Sequence, residues 1–354
     1  MERGTLVLTG GGTAGHVMPN VALLPELRAA GWHVVYVGAH QGIERRLATA
    51  AGLEFHGIAT GKLRRYFSWQ NFIDPFRVLQ GIGDAYRILG QVRPRLVFSK
   101  GGFVSVPVVL AAWLRRIPVI LHESDLTPGL ANRLSVPWAK RICTTFPETV
   151  ALLPRAKTCC TGLPIRSELR SGSPERGRQW AGFDAQRPIL VVIGGSSGSE
   201  TINRVVRHIL PTLTQSFQVL HVCGQGNVRA EAVPHYRAVE FLAEELPDVL
   251  AMAELVVSRA GANAIFELLA LKKPHLLIPL STKASRGDQV QNAASFAQRG
   301  YSMVLPEEQL SPSSLEAAIT QLYRERHIYI EVMQDRVLGD SIGQILVQIE
   351  QVLG

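Results

Sequence analysis

The chain has 354 residues, four cysteines and a formal net charge of +8. That length carries two domains with cores of their own, and 46% apolar against 19% charged residues excludes a disordered chain. No apolar run reaches the roughly 20 residues of a membrane-spanning helix.

Further constraints come from the ends and the cysteines. The N-terminus, Met1-Glu2-Arg3-Gly4-Thr5, runs directly into a strand, which predicts no secretory signal. Cys143, Cys159, Cys160 and Cys223 form no CxxC pair, and a chain of this size needs no disulfide scaffold, which fits a reducing cytosol. The positive charge favours an acidic partner: nucleotide phosphate, nucleic acid or an anionic membrane surface. Charge alone does not choose among them.

In chain order, Thr5–Thr9 predicts a buried strand, followed by the glycine-rich turn Gly10-Gly11-Gly12-Thr13-Ala14-Gly15-His16. Val17, Val21, Leu24 and Leu27 mark one face of a helix that ends at Gly31. The turn lacks the G-x-G-x-x-G spacing of a dinucleotide fingerprint, so a nicotinamide enzyme is disfavoured. Strands follow at His33–Val37 and Glu54–Ile58. The next stretch, Gly61–Arg77, mixes cations with aromatics: Lys62, Arg64, Arg65, Tyr66, Phe67, Trp69, Phe72 and Phe76. Cations attract anionic head groups and aromatic rings settle at a lipid–water boundary, so a membrane-surface patch is expected here. The alternative is a helix whose aromatics pack inward.

Leu96–Ser99 is another strand, with a second glycine turn at Lys100-Gly101-Gly102-Phe103-Val104-Ser105 and a helix near Val106–Leu114. The strand Pro118–Leu121 ends in His122-Glu123-Ser124-Asp125. Polar residues at the carboxyl end of a parallel strand are where open α/β sheets bind ligands. Strands at Arg141–Thr145 and Lys157–Thr161 close the first sheet, and Gly162–Arg166 makes a stiff turn. The polar stretch Ser167–Arg187 reads as the junction between domains.

The pattern then restarts. The strand Pro188–Ile193, the glycine turn Gly194–Ser199 and a helix carrying Ile202, Val205, Val206, Ile209 and Leu210 echo the opening of the chain, which predicts two similar α/β units. Strands are expected at Gln218–Cys223 and Val239–Leu242. The strand Leu255–Val257 leads through Ser258-Arg259-Ala260-Gly261 into a helix beginning Ala262-Asn263-Ala264-Ile265-Phe266-Glu267. Unpaired N–H groups at a helix start suit an anion, and a Glu one turn on can accept from sugar hydroxyls. An anion beside a polyol suggests a nucleotide. Pro274–Leu280 and Tyr301–Leu305 are the last strands, a helix runs through Asn292 and Phe296, and another starts at Ser311-Pro312. The amphipathic end, Ile342–Leu353, is expected to pack back on the first domain.

Taken together, Gly10–His16, Gly101–Ser105, His122-Glu123, Gly162–Arg166, Gly194–Gly198, Ser258–Glu267 and Gly287-Asp288-Gln289 with Asn292 resemble the MurG family, almost end to end. These are the UDP-N-acetylglucosamine:undecaprenyl-diphospho-muramoylpentapeptide N-acetylglucosaminyltransferases of bacterial wall synthesis. The resemblance implies an α/β GT-B fold, two Rossmann-like parallel-sheet domains facing across a cleft. Residues 1–165 would be the acceptor-binding, membrane-associating domain, with a C-terminal helix at about 340–354 packed on it, and 166–339 the UDP-sugar-binding domain. The reaction implied is inverting transfer of N-acetylglucosamine to the 4-hydroxyl of the muramoyl sugar of lipid I, giving lipid II. The positive charge is then matched to UDP-N-acetylglucosamine and the anionic cytoplasmic face of the cell membrane, with no nucleic acid. Wall-synthesis proteins would be further partners.

The resemblance also maps contacts. Arg166 lies near the uracil and the backbone at Leu242 reads its edge. Ser196, Ser197 and Gly198 approach the diphosphate, Ala262 to Phe266 flank the phosphates, and Glu267 takes the ribose hydroxyls. Gln289, with Asp288, meets the donor sugar, as do Thr13, Ala14, Gly15 and Asp125 from the first domain. His16 is the leading general base, since imidazole titrates near neutral pH, with Glu123 and Asp125 as rivals. No Asp-x-Asp pair occurs, which fits a reaction without metal or other cofactor. Three residues depart from the common family pattern: Ala14 for Gly, Asp125 for Asn and Ser197 for Gln. The rival functions are a sugar-nucleotide epimerase of the same fold, a lipid glycosyltransferase with another acceptor, and a non-catalytic UDP-sugar or nucleic-acid binder.

Overall fold

In the computed structural model the described residues are 3–61, 70–195, 198–229, 233–283, 285–334 and 339–354, with 70–75 described by backbone alone. The chain divides into two compact units, Met1–Arg166 with Gly339–Gly354, and Ser167–Leu338.

The first unit opens with β1 (Gly4–Thr9), whose Leu6, Val7 and Leu8 are completely buried. A run buried on both faces is the signature of a parallel strand under helices. The helical segment that follows is broken into α1 (Met18–Ala22) and α2 (Leu24–Ala29), where the sequence predicts one continuous helix. Pro19 and Pro25 are the cause. Proline lacks an N–H and fits only the first turn of a helix, so each starts a new one. Then come β2 (Trp32–Ala39), α3 (Ile43–Ala50), β3 (Glu54–Ile58), α4 (Gln70–Val92), β4 (Leu96–Ser99), α5 (Ser105–Leu114), β5 (Val119–Glu123), α6 (Leu130–Ser135), β6 (Arg141–Thr144) and β7 (Thr158–Cys160). The strands form one parallel sheet in the order β3-β2-β1-β4-β5-β6-β7. Strand alternation sends Leu6 and Leu8 to one face, against Leu27 and Phe98, and Val7 to the other, against Leu89 and Val97.

In the second unit the polar stretch read as a junction is itself folded. It forms a 3-10 turn at Ser167–Ser171 and α7 (Pro174–Ala181), where the Ser173 hydroxyl accepts from the Arg176 N–H. Ser-Pro-Glu is a helix-start signature that the polar composition masks. Asp248 accepts from the Ser173 N–H at 2.7 Å and pairs with Arg176 at 2.7 Å, tying this helix to the unit.

There follow β8 (Ile189–Ile193), α8 (Glu200–Ser216), β9 (Gln218–Val222), β10 (Tyr236–Val239), α9 (Leu246–Met252), β11 (Leu255–Ser258), α10 (Ala262–Ala270), β12 (His275–Leu277), α11 (Asp288–Gln298), β13 (Met303–Val304) and α12 (Pro312–Gln334). The parallel order is β10-β9-β8-β11-β12-β13. The strand expected at Val239–Leu242 lies three residues earlier, because Tyr236 to Val239 are the residues in register with Val219 to Val222. Leu242 is buried beyond its end. The chain's last helix, Ser341–Leu353, returns to the first unit, where Ile345 and Ile349 are buried beside Leu6 and Cys143.

Each sheet has the same switch point. The first strand of the unit lies beside its fourth, β1 by β4 and β8 by β11. Successive connections run in opposite directions from such a point and leave a crevice at the strands' carboxyl ends.

Candidate active site

At the first unit's switch point the two glycine turns touch. The Gly11 N–H donates to the Gly101 carbonyl at 3.3 Å. Gly102 has φ +81°, and a Cβ there would sit 2.2 Å from the Gly11 carbonyl oxygen, so no other residue fits without moving the backbone. The turn after β1 closes in a short 3-10 segment, Ala14–His16, with the His16 N–H on the Thr13 carbonyl at 3.1 Å. Nδ1 of His16 lies 2.9 Å from the Thr13 hydroxyl, and the ring is half-buried. Thr13 is exposed, and Ala14 and Gly15 are half-buried.

The carboxylate of Glu44 braces this turn. It is completely buried and accepts from the backbone N–H groups of Gly12 at 3.2 Å and Ala39 at 3.0 Å. A buried carboxylate is tolerated where donors replace its hydration.

The polar cluster after β5 is organised by Lys100, whose ammonium group contacts His122 Nδ1 at 2.6 Å and donates to the Ser124 hydroxyl at 2.7 Å. His122 Nε2 lies 2.9 Å from the Gly162 carbonyl oxygen. A carbonyl only accepts, so Nε2 carries the hydrogen and Nδ1 is the acceptor from Lys100. Burial brings the Lys100 pKa down to about 7. Burial, with the Lys100 charge, holds His122 well below its ordinary value.

Glu123 is also buried. Its oxygens accept from the N–H groups of Asp125 at 3.0 Å and Gly129 at 2.9 Å and from the Asn132 amide at 2.8 Å. Burial, then the Asp125 charge, raises its pKa. With these donors engaged, Glu123 shapes the loop 124–129 that carries the half-buried Asp125.

In the second unit, Gly198 has φ +75°, and a Cβ there would meet the Cys223 carbonyl oxygen at 2.0 Å. Ser199 caps α8 by accepting from the Ile202 N–H. The same hydroxyl accepts from Arg259 at 2.7 Å, and Arg259 also donates to the Ile278 carbonyl and pairs with Glu307. Arg259 thus joins the β8 turn, the β11 turn and the chain after β12. Beyond it Gly261 precedes α10, and a Cβ on Gly261 would meet no atom within 4 Å. Ala262, Ile265 and Phe266 are buried, whereas Asn263, Ala264 and Glu267 are half-exposed.

Asn292 on α11 donates to the Ala260 carbonyl at 3.3 Å, and the side-chain Oε1 of Gln289 accepts from the Leu280 N–H at 2.9 Å. Asp288 lies in the first turn of α11, 3.6 Å from Arg286. So Gly198, the start of α10 and Gln289 are brought together at one switch point. Leu242 lies after β10, and Arg166 is the last residue of the first unit's main segment. Ser196, Ser197 and the membrane-patch residues Lys62, Arg64, Arg65, Tyr66, Phe67, Trp69 and the Phe72 side chain lie outside the described residues.

The chain matches the glycosyltransferase family 28 N-terminal domain over residues 6–144 and the family 28 C-terminal domain over residues 189–341. It belongs to glycosyltransferase family 28. The two matched segments contain the two switch points. Among similar proteins, one from Geobacillus thermodenitrificans is 52% identical over 351 residues, covering 98% of this chain and 99% of its own. Another from Lachnospira eligens is 53% identical over 343 residues, covering 96% and 97%. Both are named UDP-N-acetylglucosamine–N-acetylmuramyl-(pentapeptide) pyrophosphoryl-undecaprenol N-acetylglucosamine transferase. Acinetobacter baumannii MurG in its crystal structure superposes with a TM-score of 0.74 over 98% of this chain and 99% of that one, at 24% identity. A UDP-GlcNAc 2-epimerase from Neisseria meningitidis superposes at 0.70 over 98% and 99%, with 14% identity. The GT-B fold is therefore common to both activities, and sequence identity separates them.

For this family 28 chain, sequence reasoning missed Glu44, Lys100 as a buried lysine, and Arg259 as a strut. Glu44 is the single acid of the short helix α3, and only the turn 32 residues away explains it. Arg259 was legible as part of the Ser258–Glu267 stretch, but its partners at Ser199 and Glu307 lie 60 and 48 residues distant.

Proposed function

We propose that this chain transfers N-acetylglucosamine, with inversion, from UDP-N-acetylglucosamine to the 4-hydroxyl of the muramoyl sugar of undecaprenyl-diphospho-muramoylpentapeptide. The observation that carries this reading is identity near one half, over nearly the whole chain, with proteins named as that transferase. The donor belongs to the second unit and the acceptor to the first.

His16 is the general base. With the Thr13 hydroxyl accepting from Nδ1–H, Nε2 holds the lone pair that takes the proton of the attacking 4-hydroxyl. Asp125, presented by the loop that Glu123 braces, accepts from a donor-sugar hydroxyl. Charge grows on the β-phosphate as UDP leaves. The N–H groups at the start of α10 and around Gly198 and Ser199, with the Ser196 and Ser197 hydroxyls, stabilise it. Glu267 takes the ribose hydroxyls. Gln289, its carbonyl engaged by Leu280, turns amide N–H donors to the sugar, with Asp288 beside it. Arg166 and the backbone at Leu242 hold the uracil.

The acceptor is lipid-linked, and no helix among the described residues is long and apolar enough to cross a membrane. The first unit instead docks on the anionic cytoplasmic face. Phe76 and Leu79 on α4 are 73% and 65% exposed, and Trp113 and Leu114 at the end of α5 are 50% and 51% exposed, directly followed by Arg115 and Arg116. Large apolar side chains beside cations are the composition of an interfacial anchor, and α4 packs along α5.

The test uses purified full-length protein, UDP-N-acetylglucosamine and a short-chain lipid-linked muramoylpentapeptide, without added metal. UDP release together with a lipid product heavier by one N-acetylhexosamine, β-linked by NMR, is the expected result. A free isomerised sugar, or UDP without the lipid product, overturns the reading in favour of the epimerase.

A further inference from the structure

Beside the first glycine turn the first unit holds a cavity of about 400 Å³, within the range of small-molecule sites. It lies at the carboxyl ends of β2 and β3, with Arg77 and Gln80 of α4 on one side. Gly12 and Phe103 line it as well, so its wall is continuous with both glycine turns. Glu44 supports that wall through its bonds from Gly12 and Ala39.

The lining is mixed. Gln80, Thr60 and His40 can each donate and accept, Arg77 supplies a cation, and Ile58 and Phe103 supply apolar surface. The one acidic side chain among the described lining residues, Glu44, is buried with its oxygens turned to backbone donors. Groups that donate and accept, small apolar contacts and the Arg77 guanidinium suit a short peptide with a carboxylate. A long hydrocarbon chain would leave these polar groups unpaired.

We propose that this cavity is the subsite for the peptide arm of the acceptor. The inference rests on the transferase reading, in which the sugar that carries the reacting hydroxyl also carries the pentapeptide. A sugar presented to His16 leaves its peptide within a few bonds of the first glycine turn, and the cavity borders that turn at Gly12. Helix α4 then serves both ends of one substrate. Phe76 and Leu79 meet the membrane that holds its lipid, and Arg77 and Gln80, one residue on from each, meet its peptide.

The experiment compares two short-chain lipid-linked acceptors, one with the pentapeptide and one with the peptide replaced by a simple lactoyl amide. Enzymes are wild type, Arg77→Ala and Gln80→Ala. Both side chains are exposed, so truncation spares the core. Each variant is expected to raise KM for the peptide-bearing acceptor about tenfold, the size of one lost charged or amide hydrogen bond. KM for the peptide-free acceptor does not move. An equal rise for both acceptors, or a rise for neither, overturns the subsite. If wild type turns over only the peptide-bearing acceptor, inhibition by soluble muramoylpentapeptide decides: about tenfold weaker in the variants supports the subsite, and unchanged overturns it. Wild type that transfers to neither acceptor rejects the transferase reading itself.

Discussion

Nζ of Lys100 lies 2.6 Å from Nδ1 of His122, and both side chains are completely buried. The lysine amine sits at the heart of the first unit, held by one imidazole lone pair and one hydroxyl. Burial lowers its pKa from 10.5 to about 7. Between those two values the unfolded chain binds a proton that the folded chain has released, so stability rises with pH there, at up to about 1.4 kcal/mol per pH unit. Below about pH 7 both states carry the proton and the dependence from this group ends. Lys100→Met removes it. Urea midpoints at pH 7 and pH 9 should differ less for the variant than for wild type; an identical pH response would show that Lys100 is not the titrating group.

The second unit has an acid-sensitive counterpart. His221 bonds Asn203 at 2.9 Å and Tyr236 at 3.1 Å, and His275 lies beside Phe296 with Nδ1 on the Lys273 carbonyl. Burial lowers both to about 4. As pH falls from 6.5 toward 4, the unfolded state takes up protons that these rings refuse, and stability is lost at up to about 1.4 kcal/mol per unit for each. NMR titration should find the rings of His221 and His275 still neutral at pH 5, along with the buried His122 of the first unit, and full protonation of all rings by that pH would contradict the assignment.

Arg259 and Glu307 form a pair with both side chains largely buried. Arg259→Met leaves Glu307 without its guanidinium and Ser199 without its donor, and should cost about 3–5 kcal/mol. It should also weaken UDP binding, since Arg259 sets the β8 turn against α10. Adding Glu307→Gln should restore part of the stability. A single variant as stable as wild type would mean the pair is replaced by solvent.

His16→Ala should lower kcat by a factor of about 10² to 10⁴ while the donor Kd, read by calorimetry, stays within error. Thr13→Val frees the ring to change tautomer and should give a smaller fall with a shifted pH profile. Unchanged turnover in His16→Ala would move the base to Asp125.

Glu44→Ala strips the acceptor from two backbone N–H groups and should destabilise the first unit by about 1–3 kcal/mol for each group left dry. Acceptor KM should rise with donor affinity kept. Calorimetry and steady-state kinetics on one preparation separate these, and a loss confined to the donor side would count against the bracing role.

Much of the architecture is local and was readable. Leu6-Val7-Leu8 and Leu190-Val191-Val192 are runs that only a buried strand satisfies, each glycine turn follows such a run, and their repetition announces two α/β units. The start of α10 and its Glu267 were legible because strand, small-residue turn and helix lie within fourteen consecutive residues, Leu255–Leu268. Where local signals compete, reading failed: Pro19 and Pro25 split a helix whose apolar spacing continues through them, and Ser173-Pro174 starts one inside a stretch that looks like a linker. What no window of sequence contains is which strands become neighbours. Pairing β1 with β4 sets Gly11 against Gly101, ninety residues apart, and pairing β8 with β11 sets Ser199 against Arg259. Lys100 becomes a buried lysine, and Glu44 a brace, only after those pairings exist. Hydrophobic period is a property of neighbours along the chain, whereas hydration, charge and hydrogen-bond partners belong to neighbours in space, and a parallel sheet draws those from strands far apart in sequence.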